Sequence, residues 1–334
     1  MLVSTAQVIA GLVLLYFGGE GLISGASRLA LRMGVSSLIV GLTVVAFGTS
    51  APELFVSLGA VLDGLDDVAV GNVVGSNICN IALILGLAAV SRPIRINARL
   101  IKADLPLLIA ASLWLIFILR DGSVARLEGA ISILGLLAYV AFNAWEANRE
   151  DEPVKEELQK ASPQPGWSLT KDLAFIGLGL VALAAGANWF VSGAVAIATL
   201  VGLSPAFIGL TIVAIGTSLP ELAVTVLASR RGQGDIAVGN VIGSNYFNLC
   251  GIIGVTALVA PVPVEATFLT RDLWVMLGAS LMLIPFVFLG STSLGTTFSS
   301  YGTVNGESVT QIDINLATSQ VSQRLQSIYG EDFS

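Results

Sequence analysis

The seventeen residues from Gly41 to Ser57, GLTVVAFGTSAPELFVS, return as Gly209 to Thr225, GLTIVAIGTSLPELAVT, with twelve identities. Each copy sets one glutamate, Glu53 or Glu221, inside an apolar stretch. The register holds without a gap for a second block, because GNVVGSNICNI from Gly71 to Ile81 recurs 168 residues on as GNVIGSNYFNL from Gly239 to Leu249. A chain written this way folds as two similar halves, and its glutamates need a reason to be where they are. An ionisable side chain at mid-membrane costs about 2.5–3.5 kcal/mol on insertion scales, so a duplicated pair points to an ion or substrate pathway.

That these stretches cross a membrane follows from composition. Of the 334 residues 54% are hydrophobic and 12% charged, against a charged share of roughly a quarter in soluble domains. Apolar runs near 7–28, 35–60, 68–90, 103–119, 128–147, 173–198, 204–229, 236–260 and 272–290 are each long enough to span the hydrocarbon layer as a helix. None alternates as an outer-membrane strand does, and lipid offers unpaired backbone no partner, so the fold class is an all-α integral membrane protein. The first run lacks a basic leader and a small-residue cleavage site, and it reads as a retained span.

Residues 1–147 form a first five-helix repeat, and 148–171, charged and carrying Pro153, Pro163 and Pro165, a linker. Residues 172–290 form a second repeat with four recognisable spans. The polar segment 291–334 stands where a tenth helix is expected, contains no run able to span lipid, and is assigned no role. Within it 311–329 is only loosely periodic, a weak soluble helix at most. The step from Glu53 to Glu221 crosses five spans, an odd number, so the two motif helices run in opposite directions. The repeats are therefore inverted, the architecture of many secondary transporters. Placing the N-terminus outside puts twelve Lys and Arg on the inner side against three on the outer, which by the positive-inside rule makes the linker cytoplasmic and the protein a multi-pass component of the cell's inner membrane.

Pro52 and Pro220 immediately precede the glutamates, and their missing N–H groups leave the carbonyls of Gly48 and Gly216 without helix partners. The Gly-Thr-Ser triplets add the hydroxyls of Thr49, Ser50, Thr217 and Ser218. The second block supplies Asn72, Ser76, Asn77 and Asn80 with Asn240, Ser244, Asn245 and Asn248; Asn72, Ser76 and Asn80 share one helix face. Oxygen donors without histidine suit Ca²⁺ or Na⁺ and suit Zn²⁺ or Cu⁺ poorly. Taken singly, a Gly-x-x-x-Gly, a buried serine or a proline is more often a packing device; the duplicated intramembrane glutamates exceed that explanation. Glu20, whose counterpart is Asn188, stands between packing and lining a water-accessible path. Asp104 and Asp272, beside Lys102 and Arg271, read as interfacial pairs, and Cys79 and Cys250 as small core residues.

At these residues the paired G-[TS]-S-x-P-E and G-N-x-x-G-[SA]-N motifs resemble the two α-repeats of the calcium/cation antiporter superfamily, most of all the prokaryotic sodium/calcium exchangers. The resemblance covers roughly residues 7 to 290 and implies ten helices in two inverted five-helix halves around a central cation site. It implies that Glu53 and Glu221 ligate Ca²⁺ with the carbonyls of Thr49 and Thr217. Na⁺ would share the glutamates and use Ala46, Ser50, Ser76, Asn80, Ala214, Ser218, Ser244 and Asn248. Such exchangers often carry aspartate at the position of Asn248; two carboxylates in place of three also match the pattern of cation/proton antiporters.

The expectation is a secondary active antiporter exchanging Ca²⁺ for Na⁺ by alternating access, with Ca²⁺/H⁺ exchange as the alternative. A passive channel, which would use rings of ligands around a continuous pore, fits the two-fold duplication less well. An intramembrane hydrolase would need a His-Glu-x-x-His constellation, which a chain without histidine lacks. No enzymatic activity, cofactor or nucleic-acid partner is expected; the partners are inorganic cations and the lipid bilayer, and the oligomeric state is left open.

Overall fold

The computed structural model describes residues 1–92, 94, 100–147, 168–202, 214–266 and 268–290, with two short strands at Thr303–Val304 and Glu307–Ser308. The linker up to residue 167, the opening of the second motif before Ala214, and the tail from 291 apart from those strands lie outside the described residues. So does the place of the expected tenth helix.

Helix α1 is Leu2–Met33. The first motif follows as a broken pair, α2 (Ser37–Thr49) and α3 (Ala51–Leu62), bent by 42°. Then come α4 (Asp66–Ser91) and α5 (Lys102–Leu119), α6 (Arg126–Ala147), and α7 (Leu169–Leu200). The second motif is again broken, into α8 (Ala214–Thr217) and α9 (Leu219–Arg230). Helices α10 (Gly234–Val259) and α11 (Leu273–Gly290) complete the described part. Seven helices among the described residues are long and apolar enough to span a bilayer, or eight with the bent pair. The remaining expected span, near 204–229, is described only from Ala214 onward.

Helices α1 and α7 are antiparallel and nearly in backbone contact. Gly11, Gly18 and Gly25 recur in the 168-residue register as Gly179, Gly186 and Gly193. A Cβ placed on Gly18 would come within 2.9 Å of the Gly179 carbonyl oxygen, and one on Gly179 within 2.8 Å of the Gly18 carbonyl oxygen. Small residues are what let membrane helices approach so closely, since lipid supplies no hydrophobic drive between them. Around this pair lies one apolar core, including Leu22, Ile23, Ile176 and Leu183; a second includes Val73, Leu108, Leu115, Ile118 and Ile252. Cys79 packs at the edge of this second core and Cys250 within it.

The inverted register is visible in the packing. Ser112 on α5 and Ser280 on α11 are 168 residues apart, and their hydroxyl oxygens meet at 3.4 Å. Contacts at and near the helix ends sort into two sets. Ser123–Val124 pairs with Val262–Pro263 in a short antiparallel ladder, and the Glu265 N–H donates to Asp67 at 3.1 Å. Asp172, fully buried, receives Arg28 at 2.8 Å and Arg32 at 2.9 Å, while Arg92 donates to the Arg230 carbonyl at 3.1 Å. Every such contact joins segments that the Lys and Arg count puts on one side of the bilayer.

Asp272 lies beside Arg271 as expected, at 2.8 Å. Asp104 is fully buried and accepts a hydrogen bond of 3.3 Å from Tyr139, tying α5 to α6.

Candidate functional site

Both motif helices break at the serine of the Gly-Thr-Ser triplet. Ser50 (φ −85°, ψ 4°) and Ser218 (φ −89°, ψ 10°) leave helical geometry, and each proline falls in the first turn of the helix that restarts. Proline is tolerated there because the first-turn N–H groups have no intrahelical partner. Glu53 and Glu221 therefore also stand in the first turn of α3 and α9, where the positive end of the helix dipole favours a carboxylate.

The serines do not serve their own glutamates. Ser50 Oγ donates to Glu221 Oε1 at 2.9 Å, and Ser218 Oγ donates to Glu53 Oε1 at 3.3 Å. Each half thus holds the acid of the other. Both carboxylates are fully buried and close enough to repel each other, and the Oε2 atom of each has no hydrogen-bond partner. Buried carboxylate oxygens are nearly always bonded, so these two atoms are unfilled acceptor positions in the cluster. Ser218 Oγ also contacts Ser76 Oγ at 3.4 Å. The Thr49 and Ser244 hydroxyls lie beside Glu221, and Ser244 donates to the Ala46 carbonyl at 3.4 Å.

Helices α4 and α10 brace the breaks. Asn72 Nδ2 donates to the Glu53 carbonyl at 3.1 Å and to Ser57 Oγ at 2.9 Å. Its counterpart Asn240 Nδ2 donates to the Glu221 carbonyl at 3.4 Å and to Thr225 Oγ1 at 3.0 Å. The amide oxygens accept from the opposite half, Asn240 from Thr49 at 3.0 Å and Asn72 from Thr217 at 3.5 Å. These two asparagines hold backbone in place, a different role from the free oxygen donors the sequence suggested. Ser57 and Thr225 belong to the brace and were not foreseen, although they are the last residues of the repeated seventeen.

Of the twelve expected site residues, Glu53, Glu221, Thr49, Ser50, Ser218, Ser76, Ser244 and the Ala46 carbonyl converge in this cluster. Thr217 joins it through Asn72. Asn80 and Asn248 are fully buried one helical turn beyond Ser76 and Ser244, on the same helix faces. Ala214 begins α8, and nothing further of its surroundings is described. Where these asparagines stand, both helices loosen into π-helical turns, Asn80–Leu85 and Phe247–Ile252, a distortion frequent at functional sites. Among the described residues no three His, Cys, Asp or Glu side chains gather into a metal site; the cluster has two acids and otherwise neutral oxygens.

A cavity of about 1090 Å³ runs beside the cluster, lined mainly by apolar side chains and including Gly48, Pro52, Thr217 and Asn188. Glu20, the counterpart of Asn188, is engaged in an ion pair with Arg231, whose guanidinium also reaches Ser24 at 3.0 Å.

The family described as sodium/calcium exchanger protein matches residues 3–145 and 171–312 of the chain. A relative from Alkalimonas amylolytica, the putative antiporter CaxA, is 42% identical over 288 residues, covering 85% of this chain and 89% of its own. The sodium/calcium exchanger MaX1 of Methanosarcina acetivorans is 34% identical over 317 residues, 85% of this chain and 91% of that protein. The solved sodium-calcium exchanger NCX_Mj, soaked with 2.5 mM Na⁺ and 0.1 mM Ca²⁺, superposes with a TM-score of 0.74 at 32% identity, covering 86% of this chain and 91% of that one.

Proposed function

Because the chain belongs to the sodium/calcium exchanger protein family, we propose that it exchanges Ca²⁺ for Na⁺ across the cell's inner membrane by alternating access. The ions compete for one site between Glu53 and Glu221. The observation that carries this reading is the pair of buried carboxylates, each held through Oε1 by a serine of the opposite repeat and left with an Oε2 that has no partner.

Two carboxylates bear two negative charges, which one Ca²⁺ neutralises; hard oxygen donors at this depth suit such an ion. The glutamates are Ca²⁺ ligands with the Thr49 and Thr217 carbonyls. Sodium uses the same acids with Ala46, Ala214, Ser50, Ser218, Ser76, Ser244, Asn80 and Asn248. Moving an empty site across the bilayer would expose two mutually repelling charges to a low-dielectric interior, a cost of several kcal/mol per ion. Only the charge-compensated protein crosses between states, and that coupling makes transport an exchange. The broken helices and inverted repeats fit this mechanism.

A second reading, Ca²⁺/H⁺ exchange, rests on Asn248: with an amide there the cluster holds two acids, and two protons discharge it as well as one Ca²⁺ does. Vesicles containing the purified protein, tested for ⁴⁵Ca²⁺ uptake under an imposed Na⁺ gradient and under an imposed pH gradient, separate the two. Uptake driven by Na⁺ alone is the expected result; uptake driven only by pH replaces it with the second reading, and uptake without either counter-ion gradient, dissipating a Ca²⁺ gradient as a channel does, sinks both. By the count of Lys and Arg, the linker of 148–171 faces the cytoplasm and the N-terminus lies outside.

A further inference from the structure

Four asparagines lie on the packed stretches of α4 and α10, Asn77, Asn80, Asn245 and Asn248, each at most 1% exposed. The inverted register pairs Asn77 with Asn245 and Asn80 with Asn248. Two of them are joined across the halves, Asn80 Nδ2 donating to Asn245 Oδ1 at 2.9 Å. Asn245 in turn donates its Nδ2 to the Asn77 carbonyl at 3.3 Å. With both ends of the Asn245 amide engaged, Asn80 must offer its NH₂ to it, so the Asn80 oxygen is left facing away with no partner.

The mirror image of this chain of bonds is absent. It would run from Asn248 Nδ2 to Asn77 Oδ1, and both of those atoms are buried without a partner, as is Asn248 Oδ1. Asn77 has turned its own Nδ2 back to the Val73 carbonyl of its helix at 2.7 Å. One half of a symmetric network is formed, and the donor and acceptor that would form the other half are present, buried and idle. A buried amide left without a partner costs its full desolvation penalty, more than the net worth of a hydrogen bond, so the idle half is a standing bias toward an arrangement in which it closes.

We propose that Asn77 and Asn245 are positioning residues that fix which way the ligand amides of Asn80 and Asn248 point, and that they do so for one repeat at a time. In the state seen here Asn245 presents the Asn80 oxygen to the ion. In the oppositely facing state Asn77 turns from Val73 to accept from Asn248, and the Asn248 oxygen is presented in its stead. The ion meets one oriented amide carbonyl from either side of the membrane, supplied by a different half each time. This inference rests on the antiport reading of the site.

The test is the inhibition of ⁴⁵Ca²⁺/Ca²⁺ self-exchange by Na⁺ added at one face, in right-side-out and inside-out vesicles, with thermal melting of the purified protein as the check on folding. Asn245→Ala is expected to weaken the apparent Na⁺ affinity about five- to tenfold, the equivalent of one hydrogen bond, from one face only, and Asn77→Ala from the other face only. Asn245→Ser and Asn77→Ser, which keep a hydroxyl, serve if an alanine variant does not fold and are expected to show the same sidedness more weakly. Equal shifts at both faces, or a fall in maximal rate alone, overturn the proposal, because that is what a merely structural asparagine gives. Glu53→Gln, run in parallel, tests the site itself: full exchange in that variant refutes the carboxylate reading, whatever the asparagine variants show.

Discussion

The two ends of the α1–α7 pair are made from equivalent positions and behave differently. At one end Glu20 is clasped to Arg231, and Asp172 gathers Arg28 and Arg32 nearby. At the other end the counterpart of Glu20 is Asn188, which lines the open cavity, and the counterpart of Arg231 is Asp63, which cannot form that ion pair. Around the glutamates, by contrast, the halves match: Ser50 and Ser218 trade glutamates, and Asn72 and Asn240 make the same two bonds. An exchanger needs its binding chemistry to look alike from both sides, since the same ions must load and leave at each. Nothing requires its two faces to be tied alike, and here one carries an ion pair at a position where the counterpart residues are Asn188 and Asp63.

The largest effect tests the symmetric centre. Glu53→Gln and Glu221→Gln should each lower ⁴⁵Ca²⁺ flux by at least about a hundredfold with the protein still inserted, since each removes one of two compensating charges from a buried site. A variant retaining even a tenth of the flux would mean the halves are unequal where the geometry makes them equal. Next in size is the helix contact. Gly179→Val forces a side chain against the Gly18 carbonyl and should destabilise the protein by about 1–3 kcal/mol, the usual cost of overpacking, read as a lower melting temperature. Gly177→Val on the same helix, where a Cβ meets nothing within 4 Å among the described residues, should leave melting close to wild type.

A smaller effect sharpens the contrast between the ends. Glu20→Gln removes a partly exposed ion pair worth up to about 1 kcal/mol, so the ratio of the two facing states should move by about fivefold toward opening at the clasped end. Labelling of a cysteine placed beside Arg231 measures it. Asn188→Glu combined with Asp63→Arg builds the missing clasp at the other end and should move the ratio the opposite way; no response to either would make the asymmetry decorative. The smallest expected change is Ser229→Ala, which deletes a buried bond of 2.9 Å to the Ala88 carbonyl at a cost of about 1 kcal/mol, again at the clasped end only. Its counterpart Val61 has no such bond to lose.

Much of this was legible beforehand. Helix spans, the inverted register and the two glutamates follow from hydropathy, from a repeat distance crossing an odd number of spans, and from the cost of burying an acid. The cross-repeat exchange of serines was not legible, because the 168-residue spacing says that Ser50 and Ser218 are equivalent without saying which glutamate each one meets; only tertiary packing decides that. Asn72 illustrates the same limit, since residue type marks it as a donor and acceptor but not that its amide is consumed by the backbone of Glu53. The bond from Tyr139 to Asp104 was not legible either, because the two lie 35 residues apart in sequence while Lys102 stands close to the acid. The glycine series of α1 and α7 lies in the same register, but with glycine common throughout the chain the spacing alone does not single it out as a helix contact.

The traded serines also govern how the protein can be made. When the first half leaves the ribosome and enters the bilayer, Glu53 has its place in a helix but not the hydroxyl that will hold it, which is still 165 residues from being translated. Until then that acid must remain hydrated or protonated at the edge of the growing bundle. Either half expressed alone would be a scaffold with an unfinished pocket, and joining two separately inserted halves should restore transport only when they meet in the same membrane.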